Sequence, residues 1–294
     1  MTAPPPAASV IPRPVFRVRG GAGETVEDRV AVEEPLEIRL AQGDRVQRLA
    51  VTMRTPGHDA ELAVGFLAGE GVVRRAEDVT DVAHTPLQGG MADPNVVVVR
   101  LAAGVRFDAR RLERHVYTTS SCGVCGKTSL EAVGAIRGPD LPAGPTLPAD
   151  VVHRLPATLR EAQAGFEQTG GLHAAALFTG AGDLVRVRED VGRHNALDKL
   201  LGSFLLEGQA DGLRPAPPES VVLVSGRASF ELVQKTVVAG LPVLAAVGAP
   251  SSLAVDLADE SGMTLLGFVR DGRFNVYAGA GRVTLDAAPA TPPR

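Results

Sequence analysis

Residues 220–270, SVVLVSGRASFELVQKTVVAGLPVLAAVGAPSSLAVDLADESGMTLLGFVR, decide the fold of this 294-residue chain. Five segments alternate in them. SVVLV (220–224), PVLAAVG (242–248) and TLLGFVR (264–270) are short, apolar and largely aliphatic, whereas SFELVQKTVVAG (229–240) and SLAVDLADESG (252–262) space their apolar residues as helices do. Strands separated by single helices and joined by short connections predict a layered α/β domain with a largely parallel sheet. Such a sheet takes ligands at the loops beyond the carboxyl ends of its strands.

The alternation extends upstream to about residue 151. PATLREAQAGFEQ (156–168) reads as a helix, LHAAALFT (172–179) and LVRVRED (184–190) as strands, and RHNALDKLLGSFLLEG (193–208) as a second helix. Ahead of it, the Pro/Gly-rich IRGPDLPAGPTLPAD (136–150) reads as a linker. The N-terminal part differs. VFRVR (15–19), LEIRL (36–40), RLAVTMR (48–54), NVVVVRL (95–101) and RLERHVYTT (111–119) read as strands, with a helix from about Asp59 in TPGHDAELAVGFLAGEGVV (55–73). The expected organisation is a Pro/Ala-rich disordered tail over 1–14 and a β-rich domain over 15–117. A cysteine loop with a short helix and linker follows over 118–150, then an α/β cofactor-binding domain over 151–285 and a tail over 286–294.

Composition narrows the function. Hydrophobic residues make up 45% of the chain, enough for a sizeable core, and a net charge of −4 argues against a nucleic-acid or anionic-membrane surface. No apolar run reaches the roughly 18 residues of a membrane span, and MTAPPPAASVIPRP lacks the pattern of a signal peptide, so a cytoplasmic location is expected. The cations are nearly all Arg. The three lysines, Lys127, Lys199 and Lys235, fall in glycine- or cysteine-marked segments, as though a compact ammonium were needed there.

Three loops look built for a ligand. REDVGRHNALDK (188–199) brings Arg193, His194 and Asn195 to the start of a helix. VSGRASFELVQK (224–235) places Ser225, Gly226 and Arg227 at a strand-to-helix turn with Ser229 as N-cap, and GFVRDGRFNVY (267–277) carries Arg270 and Arg273 about an Asp271–Gly272 hairpin turn. Taken singly, each is also ordinary capping or turn chemistry. Together the arginines point to an anionic, nucleotide-like ligand, although neither GxGxxG nor a Walker pattern is present. His58, His84, His115 and His153 read as surface or packing residues, and His173, where a strand begins, as a satisfied core histidine.

Both cysteines, Cys122 and Cys125, lie in TTSSCGVCGKTSL (118–130). A CxxC serves dithiol exchange, half a zinc site, or carriage of sulfur as a persulfide. Zinc needs two further ligands, and no second CxxC or His pair supplies them; a zinc deaminase also needs H-x-E, where this chain has Ala175, and Pro before the first cysteine. A thioredoxin-type pair belongs after the first strand of a βαβ unit, and this one lies far along the chain between flanking glycines. Lys127, loop N–H groups and a helix start near Thr128 would lower a thiol pKa.

TPGHDAELAVGFLAGEGVV, SSCGVCGK, GGLHAAAL, REDVGRHNALDKLLG, SGRASFELVQK, GLPVLAAVGAPSSLAVDLA and GFVRDGRFNVY, in that order over about residues 50 to 278, together resemble the FdhD family, the accessory sulfurtransferases of formate dehydrogenase. The resemblance implies a cytoplasmic homodimer that takes a persulfide sulfur from a cysteine desulfurase and delivers it to the molybdenum of bis-molybdopterin guanine dinucleotide. It implies a second domain like the cytidine-deaminase fold without zinc, Cys122 as persulfide carrier, and a cofactor-binding segment at Phe268, Val269, Arg270, Asp271, Gly272 and Arg273. Asp271 would be tolerated near phosphates only if it points away or receives an Arg. Two other functions stay open on the residues alone: a non-catalytic molybdenum-cofactor chaperone, and a CxxC disulfide oxidoreductase.

Overall fold

The computed structural model describes residues 8–86, 92–106, 140–208, 210–211, 214–215 and 219–285. The chain opens with a two-stranded antiparallel ribbon, β1 (Val10–Arg19) and β2 (Ala22–Ala31). Its first residues fall inside the stretch expected to be tail. Pro12 and Pro14 fit because the Ser9–Val32 pair is hydrogen-bonded, so positions 12 and 14 fall at the alternate, non-bonded places where a missing N–H costs no ladder bond. β3 (Glu34–Gln42), β4 (Arg45–Arg54), β5 (Val79–Pro86) and β6 (Ala92–Leu101) form a sheet in the order β4-β3-β6-β5.

Helix α1 (Asp59–Gly69) has apolar residues on all sides because it is buried from two directions. One side packs on that sheet, with Leu62 and Leu67 against Leu36, Ile38, Val97 and Val99. The other side meets α4 (Arg193–Leu206) of the second domain. Two glycines allow this approach: a Cβ on Gly65 would lie 1.9 Å from the Asp198 carbonyl oxygen, and one on Gly202 would lie 1.9 Å from that of Glu61. Gly202→Ala is therefore expected to lower folding stability by about 3 kcal/mol, the upper end for overpacking, because the obstructing atom is backbone. Denaturant unfolding checks this, and an unchanged midpoint would show that the helices separate freely.

The second domain begins earlier than the linker reading placed it. β7 (Leu147–Pro148) pairs with β16 (Val283–Thr284), Leu141 packs on the core, and Arg282 Nε donates to the Ala143 carbonyl at 2.5 Å. Helix α2 (Ala149–Ala162) also starts before Pro156, which sits inside it; Val151, Val152, Leu155 and Leu159 form the buried face that holds it together despite the missing N–H. After α3 (Ala164–Thr169) come β8 (His173–Thr179), β9 (Leu184–Asp190), α4, and the small ribbon of β10 (Ala210–Asp211) and β11 (Arg214–Pro215). Then β12 (Ser220–Val224), α5 (Phe230–Val238), β13 (Val243–Ala246), α6 (Ser252–Glu260), β14 (Thr264–Arg270) and β15 (Arg273–Ala278) complete the alternation.

The sheet order is β15-β14-β13-β12-β8-β9. Only the central β12, β13 and β14 are mutually parallel; β8 and β9 on one flank and β15 on the other pair antiparallel. The expectation of a largely parallel sheet fails at the β8–β9 and β14–β15 pairs because Gly180–Asp183 and Asp271–Gly272 are too short for a crossover, and at β8–β12 because β8 enters the sheet antiparallel. Helices α4, α5 and α6 cover one face and α2 the other.

Candidate functional site

The strand pairings bring the carboxyl ends of β9, β12, β13 and β14 to one edge of the sheet, together with His173 at the start of antiparallel β8. Loops 191–193, 225–229 and 247–251 and the β14–β15 turn all open there. Two of the three loops are bonded to each other: Gly248 N–H donates to the Gly226 carbonyl, and Ala228 N–H to that of Ala249. Phe268 N–H donates to the Gly248 carbonyl at 3.0 Å.

Ser225 turns back into the sheet, its hydroxyl accepting from Ala174 N–H at 2.9 Å. Arg227 is exposed beside Gly248. Ser229 takes the N-cap position of α5 but makes no cap bond; its hydroxyl lies 3.0 Å from His194 Nε2. Glu231 approaches the same ring nitrogen at 3.6 Å. With both partners on one nitrogen and no carboxylate on the other among the described residues, the described groups do not form a Ser–His–acid nucleophile. Burial, opposed by Glu231 and assisted by Lys235 and Arg193, brings the His194 pKa down to about 4, so its imidazole is neutral near pH 7.

Asn195 faces the other way. Its amide donates to the Met53 carbonyl at 2.7 Å and to Asp190, and its oxygen accepts from Thr52, tying the N-terminal domain to α4. Fully buried Asp190 also accepts from Thr55 N–H and pairs with Lys199 at 2.7 Å. Asn195 thus holds Arg193 and His194 in place from behind and offers its side chain to no ligand at the edge.

The C-terminal segment splits in the same manner. The pairing of β14 with β15 is irregular between Gly267 and Arg270, and Phe268 there has a left-handed φ of 54°. Leu266 and Val269 both join the core on the α2 face, so Phe268 is the extra residue, re-aimed and half-buried at the edge with Arg270 5.6 Å from its ring. Val269 is fully buried and can offer only backbone. Asp271 and Gly272, with φ of 53° and 68°, form the type I′ turn that Asp-Gly predicts, and set exposed Arg270 opposite exposed Arg273. The Asp271 carboxylate is exposed and has Arg270 at 3.8 Å.

Cys122, Cys125, Lys127 and His115 lie outside the described residues. Among the described residues no three His, Cys, Asp or Glu side chains are placed to hold a metal, and no helix is long and apolar enough to cross a membrane. Lys199 and Lys235 are not ligand groups: each is fully buried, Lys235 against Asp198 at 2.6 and 2.8 Å. His173, read as a core residue, is instead half-buried at the edge, as the first residue of a strand antiparallel to β12, and no local signal in the sequence sets that direction.

The molecule is thus a mixed α/β protein that presents an arginine-bearing, glycine-turned sheet edge suited to an anionic ligand. The chain belongs to the FdhD/NarQ family, whose profile matches residues 31–284. It is 53% identical over 282 residues to the sulfur carrier protein FdhD of Streptomyces avermitilis, covering 95% of this chain and 97% of that one. It is 54% identical over 284 residues to the protein of the same description from Streptomyces coelicolor, covering 94% and 96%. Among solved structures it is similar to one described as a formate dehydrogenase accessory protein from Desulfotalea psychrophila, with a TM-score of 0.72, 27% identity, and coverage of 94% of this chain and 100% of that one.

Proposed function

We propose that this protein is a sulfur carrier for formate dehydrogenase maturation, a sulfurtransferase of the persulfide-relay type. The observation that carries the reading is the near-complete alignment, at 53–54% identity, with relatives described as sulfur carriers. Cys122 thiolate attacks the outer sulfur of a persulfide on a cysteine desulfurase; an S–S bond forms on Cys122 and the donor leaves as thiolate. Cys125 can attack the Cys122 sulfur, closing a disulfide and expelling the carried atom as sulfide. The sulfur's destination is the molybdenum of bis-molybdopterin guanine dinucleotide, a cargo and not a resident cofactor. No zinc enters the mechanism, and in this reading the second domain has the deaminase-like fold that the resemblance implies, without its metal. The carrier acts in the cytoplasm as a homodimer.

The sheet edge is chemically suited to such cargo. Arg193, Arg227, Arg270 and Arg273 supply guanidinium groups for pyrophosphate, Phe268 an aromatic face, and the starts of α4 and α5 backbone N–H groups. GDP, standing for half of the dinucleotide, is expected to bind. Arg273→Ala should weaken it by about 1.5 kcal/mol, close to tenfold and the low end for a charge-assisted bond, because the guanidinium is exposed. Calorimetry of native and variant proteins tests this; equal affinity in a folded variant removes Arg273 from the site.

A further inference from the structure

Three glycines at this edge leave less than ordinary room for a side chain. An added Cβ would lie 3.0 Å from the Gly226 carbonyl oxygen at Gly248, 2.8 Å from the Tyr277 ring at Gly267, and 3.1 Å from Asn195 Nδ2 at Gly192. Gly226 is different. Its backbone is not left-handed, and the nearest atoms to a Cβ there among the described residues are His173 Nδ1 at 3.5 Å and Arg193 Cδ and His173 Cε1 at 3.6 Å, which is ordinary contact. The fold would accept a methyl group at 226, in a place where peptide backbone, imidazole and the Arg193 stem converge.

His173 has a matching feature. Ser225, which follows β12 where it pairs with the start of β8, spends its hydroxyl on Ala174 N–H, whereas the His173 ring has no hydrogen-bond partner among the described residues. Burial and the Arg193 charge, opposed by Asp190, lower its pKa below the ordinary histidine value. The ring is then neutral near pH 7, with one N–H to donate, beside a fixed cation. A phosphate oxygen next to Arg193 can accept that bond without a second buried charge.

We propose that the anionic ligand lies against the Gly226 backbone, and that His173 is a ligand-contacting residue that hydrogen-bonds the diphosphate of a nucleoside diphosphate moiety while Arg193 neutralises its charge. Glycine at 226 lets the ligand approach the peptide closely, and a methyl group there would occupy the ligand's volume. The inference deepens the cargo-binding reading above and rests on it.

Titration of GDP and of guanosine into the native protein, His173→Ala, His173→Asn and Gly226→Ala, each with its melting curve, tests the proposal. GDP affinity should fall about tenfold in His173→Ala, as for loss of one hydrogen bond to a charged group, and at least as far in Gly226→Ala. Guanosine affinity should change little in either. His173→Asn, which keeps an N–H near the place of Nδ1, should recover part of the loss, and Gly226→Ala should melt within about 2 °C of native, as expected for a substitution without a stability mechanism. If His173→Ala unfolds, Gly226→Ala decides, since its methyl makes ordinary contacts with the fold and needs no neighbour to shift. Native GDP affinity in Gly226→Ala and folded His173→Ala overturns this inference and leaves the cargo pocket standing. Absence of GDP binding by the native protein overturns the pocket itself, and the inference with it.

Discussion

Lys235→Met should cost about 3–5 kcal/mol of folding stability, the range for removing one member of a buried ion pair. The ammonium is 2% exposed and donates to both oxygens of Asp198, itself 2% exposed, at 2.6 and 2.8 Å. Burial pushes the Asp198 carboxyl up to about 7, against the opposing pull of the ammonium beside it. Burial likewise opposes the charge on Lys235, but Asp198, Glu231 and Glu70 outweigh it and raise the ammonium pKa above its ordinary value. Methionine fills the stem's volume and leaves the Asp198 carboxylate without its counterion between three helices, so most of the loss is electrostatic. The double variant Asp198→Ala/Lys235→Met should recover much of it, because removing both charges removes both desolvation costs. Denaturant midpoints of the two single variants and the double variant give the coupling. A loss under about 1 kcal/mol for Lys235→Met would mean that the pair contributes no more than a surface one.

That ion pair also shows what the sequence could and could not reveal. The rarity of lysine among many arginines was legible and pointed to special places, yet Lys199 and Lys235 serve the domain interface and not the ligand edge. Nothing local distinguishes these uses, because burial arises only when α1 lands on α4. Segments with a strong period were readable: the alternation over 220–270, the helix beginning at Asp59 and the Asp-Gly turn appear at those residues. β2, with Glu24, Glu27, Asp28 and Arg29, was not, because a ribbon exposed on one face needs no apolar alternation. Pro156 read as a helix start, although the buried face of α2 already begins at Val151. At the candidate site the arginine loops were legible one by one. Their meeting at one sheet edge, the inward turn of Asn195 and the outward place of His173 depend on the antiparallel insertion of β8, a topological choice absent from local pattern.

Cys122→Ser should abolish sulfur loading altogether, a larger effect than any binding variant, because no other atom in the proposed relay forms the carrier S–S bond. A hydroxyl neither attacks a persulfide at neutral pH nor holds sulfur in an exchangeable bond. Cys125→Ser should still load and be impaired only where release by disulfide closure matters. A disulfide oxidoreductase would lose activity with either cysteine, and a cargo chaperone with neither. The measurement that bears most directly on the relay is peptide mass spectrometry after incubation with a cysteine desulfurase and cysteine. The account predicts one added sulfur atom on the peptide bearing Cys122, absent in Cys122→Ser, with loss of formate dehydrogenase maturation by that variant. An unmodified Cys122 peptide in the native protein, or full maturation by Cys122→Ser, would contradict it.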